Sequence, residues 1–114
     1  MNITEKTENR IEELLKEMTL EEKVVKTLNE KGLVLATAES CTGGLIAKRI
    51  TDVSGSSAMF NCGIVSYSND IKEKVLGVKH KTLETLGAVS EQTVREMVKG
   101  VLKISEADIA VAVS

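Results

Sequence analysis

Ser40, Cys41 and Thr42 stand together in Thr37-Ala38-Glu39-Ser40-Cys41-Thr42-Gly43-Gly44, a run of small polar and nucleophilic side chains closed by two glycines. A serine hydroxyl attacks a carbonyl carbon only when a base takes its proton and donors stabilise the developing oxyanion. The Gly43-Gly44 backbone and the amino end of a following helix are candidates for the donors. The single histidine, His80, lies in a polar Lys79-His80-Lys81 segment that reads as exposed, which argues against a Ser-His-Asp triad. Lys72 is the better candidate base, because it falls early in a helix that follows the second apolar strand and so returns to the sheet edge that carries Ser40. Desolvation and a nearby helix amino terminus both lower a lysine pKa toward a value at which the neutral amine accepts a proton. Tyr67 is placed to hold or relay through that amine. The spacing alone favours a solvated helix lysine, and Cys41 reads either as a competing nucleophile or as a small buried packing residue. Glu39 is placed to cap a helix or to orient Lys72. Neither a P-loop nor a G-x-G-x-x-G pattern is present, and the acidic residues show no metal-ligand spacing.

The elements that must position these residues are short. Leu33 to Thr37 reads as a buried strand, and Leu45, Ile46, Ile50 and Val53 recur at helical spacing after the turn. That places Ser40 at or just past a strand's carboxyl end, where α/β proteins gather their chemistry. Upstream, Thr19-Leu20-Glu21-Glu22 is a capping-box pattern that starts a helix, and Gly32 stops it. An earlier charged helix over Glu5 to Met18 carries an apolar stripe of Ile11, Leu14, Leu15 and Met18. It reads as an amino-terminal helical extension, residues 1–18, to a domain over 19–114. A second β-favouring run lies within Ala58 to Tyr67, centred on Ile64 to Tyr67. Ser68 or Asn69 caps the next helix, which ends at Gly77, and another short helix near Thr82 to Leu86 ends at Gly87. Ser90 caps an amphipathic helix with Val94, Met97, Val98, Val101 and Leu102 on one stripe, and Ile109 to Val113 is a third strand. Strands alternating with helices predict a three-layer α/β/α arrangement around a mainly parallel sheet.

Composition narrows the function classes. A chain of 114 residues with 42% hydrophobic residues is one domain, built almost without aromatic side chains: one Tyr, one Phe and no Trp. Stacking of unpaired bases is therefore nearly unavailable, and a net charge of −2 gives no general attraction to nucleic acid or anionic membrane. No secretory leader or membrane-spanning run is visible, so the chain reads as cytoplasmic, with Cys41 and Cys62 as reduced thiols.

Five blocks carry a resemblance. Ala36-Thr37-Ala38-Glu39-Ser40-Cys41-Thr42-Gly43-Gly44, Thr51-Asp52-Val53-Ser54-Gly55-Ser56-Ser57, Tyr67-Ser68-Asn69, Leu76-Gly77-Val78 and Gly87-Ala88-Val89-Ser90-Glu91 follow one another in order. From about Leu20 to Ser114 the sequence resembles the carboxy-terminal domain of the CinA (competence/damage-inducible) proteins, a family that includes nicotinamide mononucleotide deamidases. The resemblance implies a cytoplasmic amidohydrolase of pyridine-nucleotide salvage, converting nicotinamide mononucleotide and water to nicotinate mononucleotide and ammonia without metal or organic cofactor. Ser40 is then the nucleophile and Lys72 its base. The resemblance also implies that Tyr67, Thr42 and Gly43 line the pocket, that Glu39 and Gly44 belong to the substrate-binding turn, and that Ser114 lies near the reacting amide.

The family pattern continues beyond the position of Ser114 with a glycine-rich loop, a further strand and a helix. The expected sheet is thus incomplete at its carboxyl end, with apolar surface uncovered and a homo-oligomer, most simply a dimer, favoured. A non-catalytic oligomerisation or regulatory module is the alternative reading of the same features.

Overall fold

The computed structural model of the chain describes residues 16–114. The expected extension over residues 1–18 lies mostly outside them. Helix α1 (Leu20–Lys31) begins at Thr19, whose hydroxyl accepts from the Glu22 amide while the Glu22 carboxylate accepts from the Thr19 amide. Both orphan donors are met reciprocally, and Gly32 ends the helix in the left-handed conformation. Val25 and Leu28 form its buried face.

Strand β1 (Leu35–Glu39) starts and ends two residues later than the apolar run predicts. The cause is tertiary. The Val34 amide donates to the Asp108 carboxylate at 2.8 Å, and its carbonyl accepts from the Asp108 and Ile109 amides, so the ladder begins only after this clasp. Glu39 consequently belongs to the strand, not to the turn. Helix α2 (Leu45–Thr51) and a single 3₁₀ turn (Ser56–Ala58) lead to β2 (Phe60–Val65). The second strand stops short of the predicted Tyr67, because beyond Val65 the carbonyls of Ser66 and Tyr67 accept from the Lys72 amine.

Helix α3 (Asn69–Leu76) is capped by Ser68, whose hydroxyl accepts from the Ile71 amide. Helix α4 (His80–Leu86) is tied to α5 (Glu91–Ser105) by Glu96, which accepts from the Lys79 amide, the Thr82 hydroxyl and the Gln92 side chain, each at 2.8 Å. Ser90 caps α5 as the sequence predicts, and β3 (Ile109–Val113) follows.

The three strands are all parallel, in the order β2-β1-β3. Successive residues of a strand face opposite ways, and β1, in the middle, is covered on both faces. Leu35 packs with Val25, Leu28, Ile50 and Met59 on the α1–α2 side. Ala36 and Ala38 pack with Leu76, Val78, Leu83, Met97 and Val101 on the side of α3, α4 and α5. The two alanines let the fully buried Met97 and Val101 of α5 approach the sheet closely. On β3 the outer face is less covered: Ile109 and Val111 border an apolar concavity of about 570 Å³ beside Leu20, Val24 and Leu28 of α1. Among the described residues no helix is long and apolar enough to cross a membrane.

Candidate active site

Parallel strands end on a common edge, and the chain leaves β1 toward β2 on one side while β3 adds on the other. Such a reversal of strand order opens a crevice at the carboxyl ends. Glu39 is paired with Val65 and with Val113, so Ser40, Ser66 and Ser114 come one residue past three adjacent strand ends. The Ser40 amide donates to the Val113 carbonyl at 2.9 Å and the Ser66 amide to the Glu39 carbonyl at 2.8 Å, which continues the ladder into this row.

Lys72 reaches the row from α3. Its Nζ lies 2.9 Å from Ser40 Oγ, 2.8 Å from the Ser66 carbonyl and 3.1 Å from the Tyr67 carbonyl. The lysine is 1% exposed and Ser40 is 7% exposed. Burial holds the Lys72 pKa below the ordinary lysine value, against a smaller upward pull from the neighbouring Cys41 side chain. A lysine buried with no carboxylate partner among the described residues is costly in its charged form, which shifts its equilibrium toward the neutral amine.

The three partners fix which way the proton runs. A neutral amine has two N–H donors and one lone pair. The two carbonyls can only accept, so they take both N–H groups and leave the lone pair facing Ser40 Oγ. The serine must then donate. When the amine becomes an ammonium, all three contacts become N–H donations, so no partner is lost in either state. The dyad is built for proton exchange along one line only.

Glu39 is 1% exposed and turns to the opposite face of β1. Its carboxylate accepts from the Thr42 hydroxyl at 2.7 Å, the Ile46 amide at 2.9 Å and the Ala47 amide at 3.1 Å. Burial pushes its pKa up, but the Thr42 hydroxyl and the Ile46, Ala47 and Gly44 amides outweigh it and hold the carboxyl below its usual range. Of the two roles read for it, capping a helix is the one its hydrogen bonds fill. Gly43 and Gly44 have φ of 60° and 102°, which side chains with a Cβ rarely adopt. A Cβ on Gly44 would also lie 3.3 Å from Val65.

The other sequence candidates fall around this centre. Tyr67 serves the amine through its carbonyl, while the residue is 75% exposed. Ser114 donates its hydroxyl to the Ala88 carbonyl at 2.8 Å, pinning the loop between α4 and α5 to the end of β3. Cys41 is exposed, not the buried packing residue of the plain reading, and Cys62 is half-buried; both are free thiols. His80 is exposed and paired with Glu73, outside the row of serines. Ser66 was missed by local sequence reading, since only strand register aligns it with Ser40. Among the described residues no group of three His, Cys, Asp or Glu side chains is placed to hold a metal ion.

Residues 17–114 match the model of the CinA C-terminal domain. The chain belongs to the CinA family. A CinA-like protein of Chlorobium limicola is 61% identical over 94 residues, which are 82% of this chain and 22% of that protein. A putative competence-damage inducible protein of Caldanaerobacter subterraneus is 55% identical over 93 residues, 23% of its length. Among solved structures, the competence/damage inducible protein CihA of Agrobacterium tumefaciens superposes with TM-score 0.80 at 48% identity, over 82% of this chain and 56% of that one. The Klebsiella pneumoniae competence damage-inducible protein A gives 0.82 at 42% identity, over 83% and 59%. The chain thus spans less than a quarter of these curated relatives and somewhat over half of the solved CinA structures.

Proposed function

We propose that the chain carries the catalytic centre of a C–N hydrolase of the nicotinamide mononucleotide deamidase class. The observation that carries this reading is the 2.9 Å contact between Ser40 Oγ and the buried Nζ of Lys72. Ser40 Oγ attacks the amide carbonyl carbon as its proton passes to the Lys72 amine, giving a tetrahedral oxyanion. Collapse of that intermediate breaks the C–N bond, and the proton on Lys72 goes to the leaving nitrogen, which departs as ammonia. Water then adds to the acyl group on Ser40 with Lys72 again as base, releasing the acid and restoring the serine.

A non-catalytic assembly module is disfavoured by the same contact. Assembly needs no lysine buried against a serine, and such a lysine is a liability to folding.

The test is ammonia release from nicotinamide mononucleotide by the chain and by Ser40→Ala. Turnover that falls by about 10⁴-fold or more in the variant supports the reading. No release from the parent chain contradicts activity of the chain at this length, and equal release from both contradicts the nucleophile.

A further inference from the structure

The oxyanion must be met by N–H donors, and the turn after Ser40 shows which remain free. Helix α2 would be the natural source, but its first amides are already occupied. Ile46 and Ala47 donate to the Glu39 carboxylate, and Leu45 donates to the Thr42 carbonyl at 3.0 Å. The Gly43 amide closes the turn on the Ser40 carbonyl at 3.0 Å, and the Ser40 amide belongs to the sheet. Among the described residues, the amides of Cys41, Thr42 and Gly44 in the segment from Ser40 to Ala47 make no hydrogen bond, and of these Gly44 is turned toward the Glu39 carboxylate, which leaves Cys41 and Thr42. A carboxylate fixed at the start of α2 also repels any second anion there.

Resting on the reading of Ser40 as nucleophile, we infer that the backbone N–H groups of Cys41 and Thr42 form the oxyanion hole. Glu39 acts on the far face of β1, where its bond to the Thr42 hydroxyl fixes the second residue of the turn. Donors fixed before the reaction need no reorganisation when charge develops, which is the condition for strong electrostatic stabilisation. Of the glycine amides that the sequence suggested as donors, Gly43 instead closes the turn and Gly44 faces the Glu39 carboxylate. Cys41 contributes its main chain, and its exposed thiol is not required.

The experiment uses a small alkyl fluorophosphonate. Ser40 Oγ bonds to phosphorus, fluoride leaves, and the serine proton passes through Lys72 to solvent, leaving a phosphoryl oxygen where the oxyanion would form. Intact mass and peptide mapping locate the adduct, and amide proton shifts are compared in ¹⁵N-labelled protein before and after labelling. An adduct on Ser40 with the Cys41 and Thr42 amide protons moved furthest downfield supports the inference. An adduct on Ser40 with the largest shifts at Gly44, Ile46 or Ala47, or none at Cys41 and Thr42, overturns the inference and leaves the nucleophile standing. Failure to label Ser40 overturns both.

Discussion

Lys72→Met lowers amide turnover by about 10²–10⁴-fold or more while the chain stays folded, because methionine fills the lysine stem's space but cannot take the Ser40 proton. The carbonyls of Ser66 and Tyr67 lose their donor, a cost opposed by removal of a buried cationic group. The same variant changes how stability depends on pH. The folded-state pKa of Lys72 lies below its ordinary value of 10.5, so the unfolded chain binds this proton more tightly than the folded one. The penalty is complete below the depressed folded pKa and vanishes above 10.5, so stability gains from Lys72 as pH rises through that window. Denaturant unfolding of both proteins across alkaline pH should show this rise in the parent and its loss in Lys72→Met. Retained turnover in the variant would place the base elsewhere.

Gly100→Ala is the substitution expected to cost most stability. Gly100 lies where α5 crosses the end of α3, and a Cβ there would be 1.9 Å from the Leu76 carbonyl oxygen and 2.7 Å from its carbon. Both are backbone atoms, so no side-chain rotation relieves the overlap and the helices must separate. A loss of about 3 kcal/mol follows from such overpacking, or roughly 12–24 °C in melting temperature. Leu76 is one helical turn beyond Lys72, so the displacement also lengthens the Lys72–Ser40 contact and lowers turnover in the protein that remains folded. Unfolding curves and rates below the transition measure both effects. An unchanged midpoint would mean that α3 and α5 do not approach as closely as described.

The helices were largely legible in the sequence because their ends are local chemistry. Thr19 with Glu22, Ser68, Ser90, Gly32 and Gly77 each satisfy or terminate a helix through residues within a few positions. The strand limits were not, since the start of β1 is set by Asp108, distant in sequence, and the end of β2 by the demand of the Lys72 amine for carbonyls. Ser40 was visible from its turn, and the resemblance to CinA domains pointed to Lys72. The bond between them depends on α3 crossing back under the β1–β2 edge, which no local pattern encodes. Glu39 shows both sides: local reading offers helix capping as one of its roles and its hydrogen bonds fill it, whereas its place in the strand and not the turn depends on the distant contacts that start β1 two residues late.

The central claim is that burial lowers the Lys72 pKa and so favours the neutral amine that faces Ser40, and its own titration tests that most directly. In protein carrying ¹³C-labelled lysine, the Cε–Hε signal of Lys72, assigned by its absence in Lys72→Met, is followed from neutral to alkaline pH. A midpoint below that of the exposed lysines, coincident with the alkaline rise in Ser40 labelling rate, is the predicted result. A midpoint at or above the ordinary value of about 10.4 would mean that burial does not favour the neutral amine, and would contradict it.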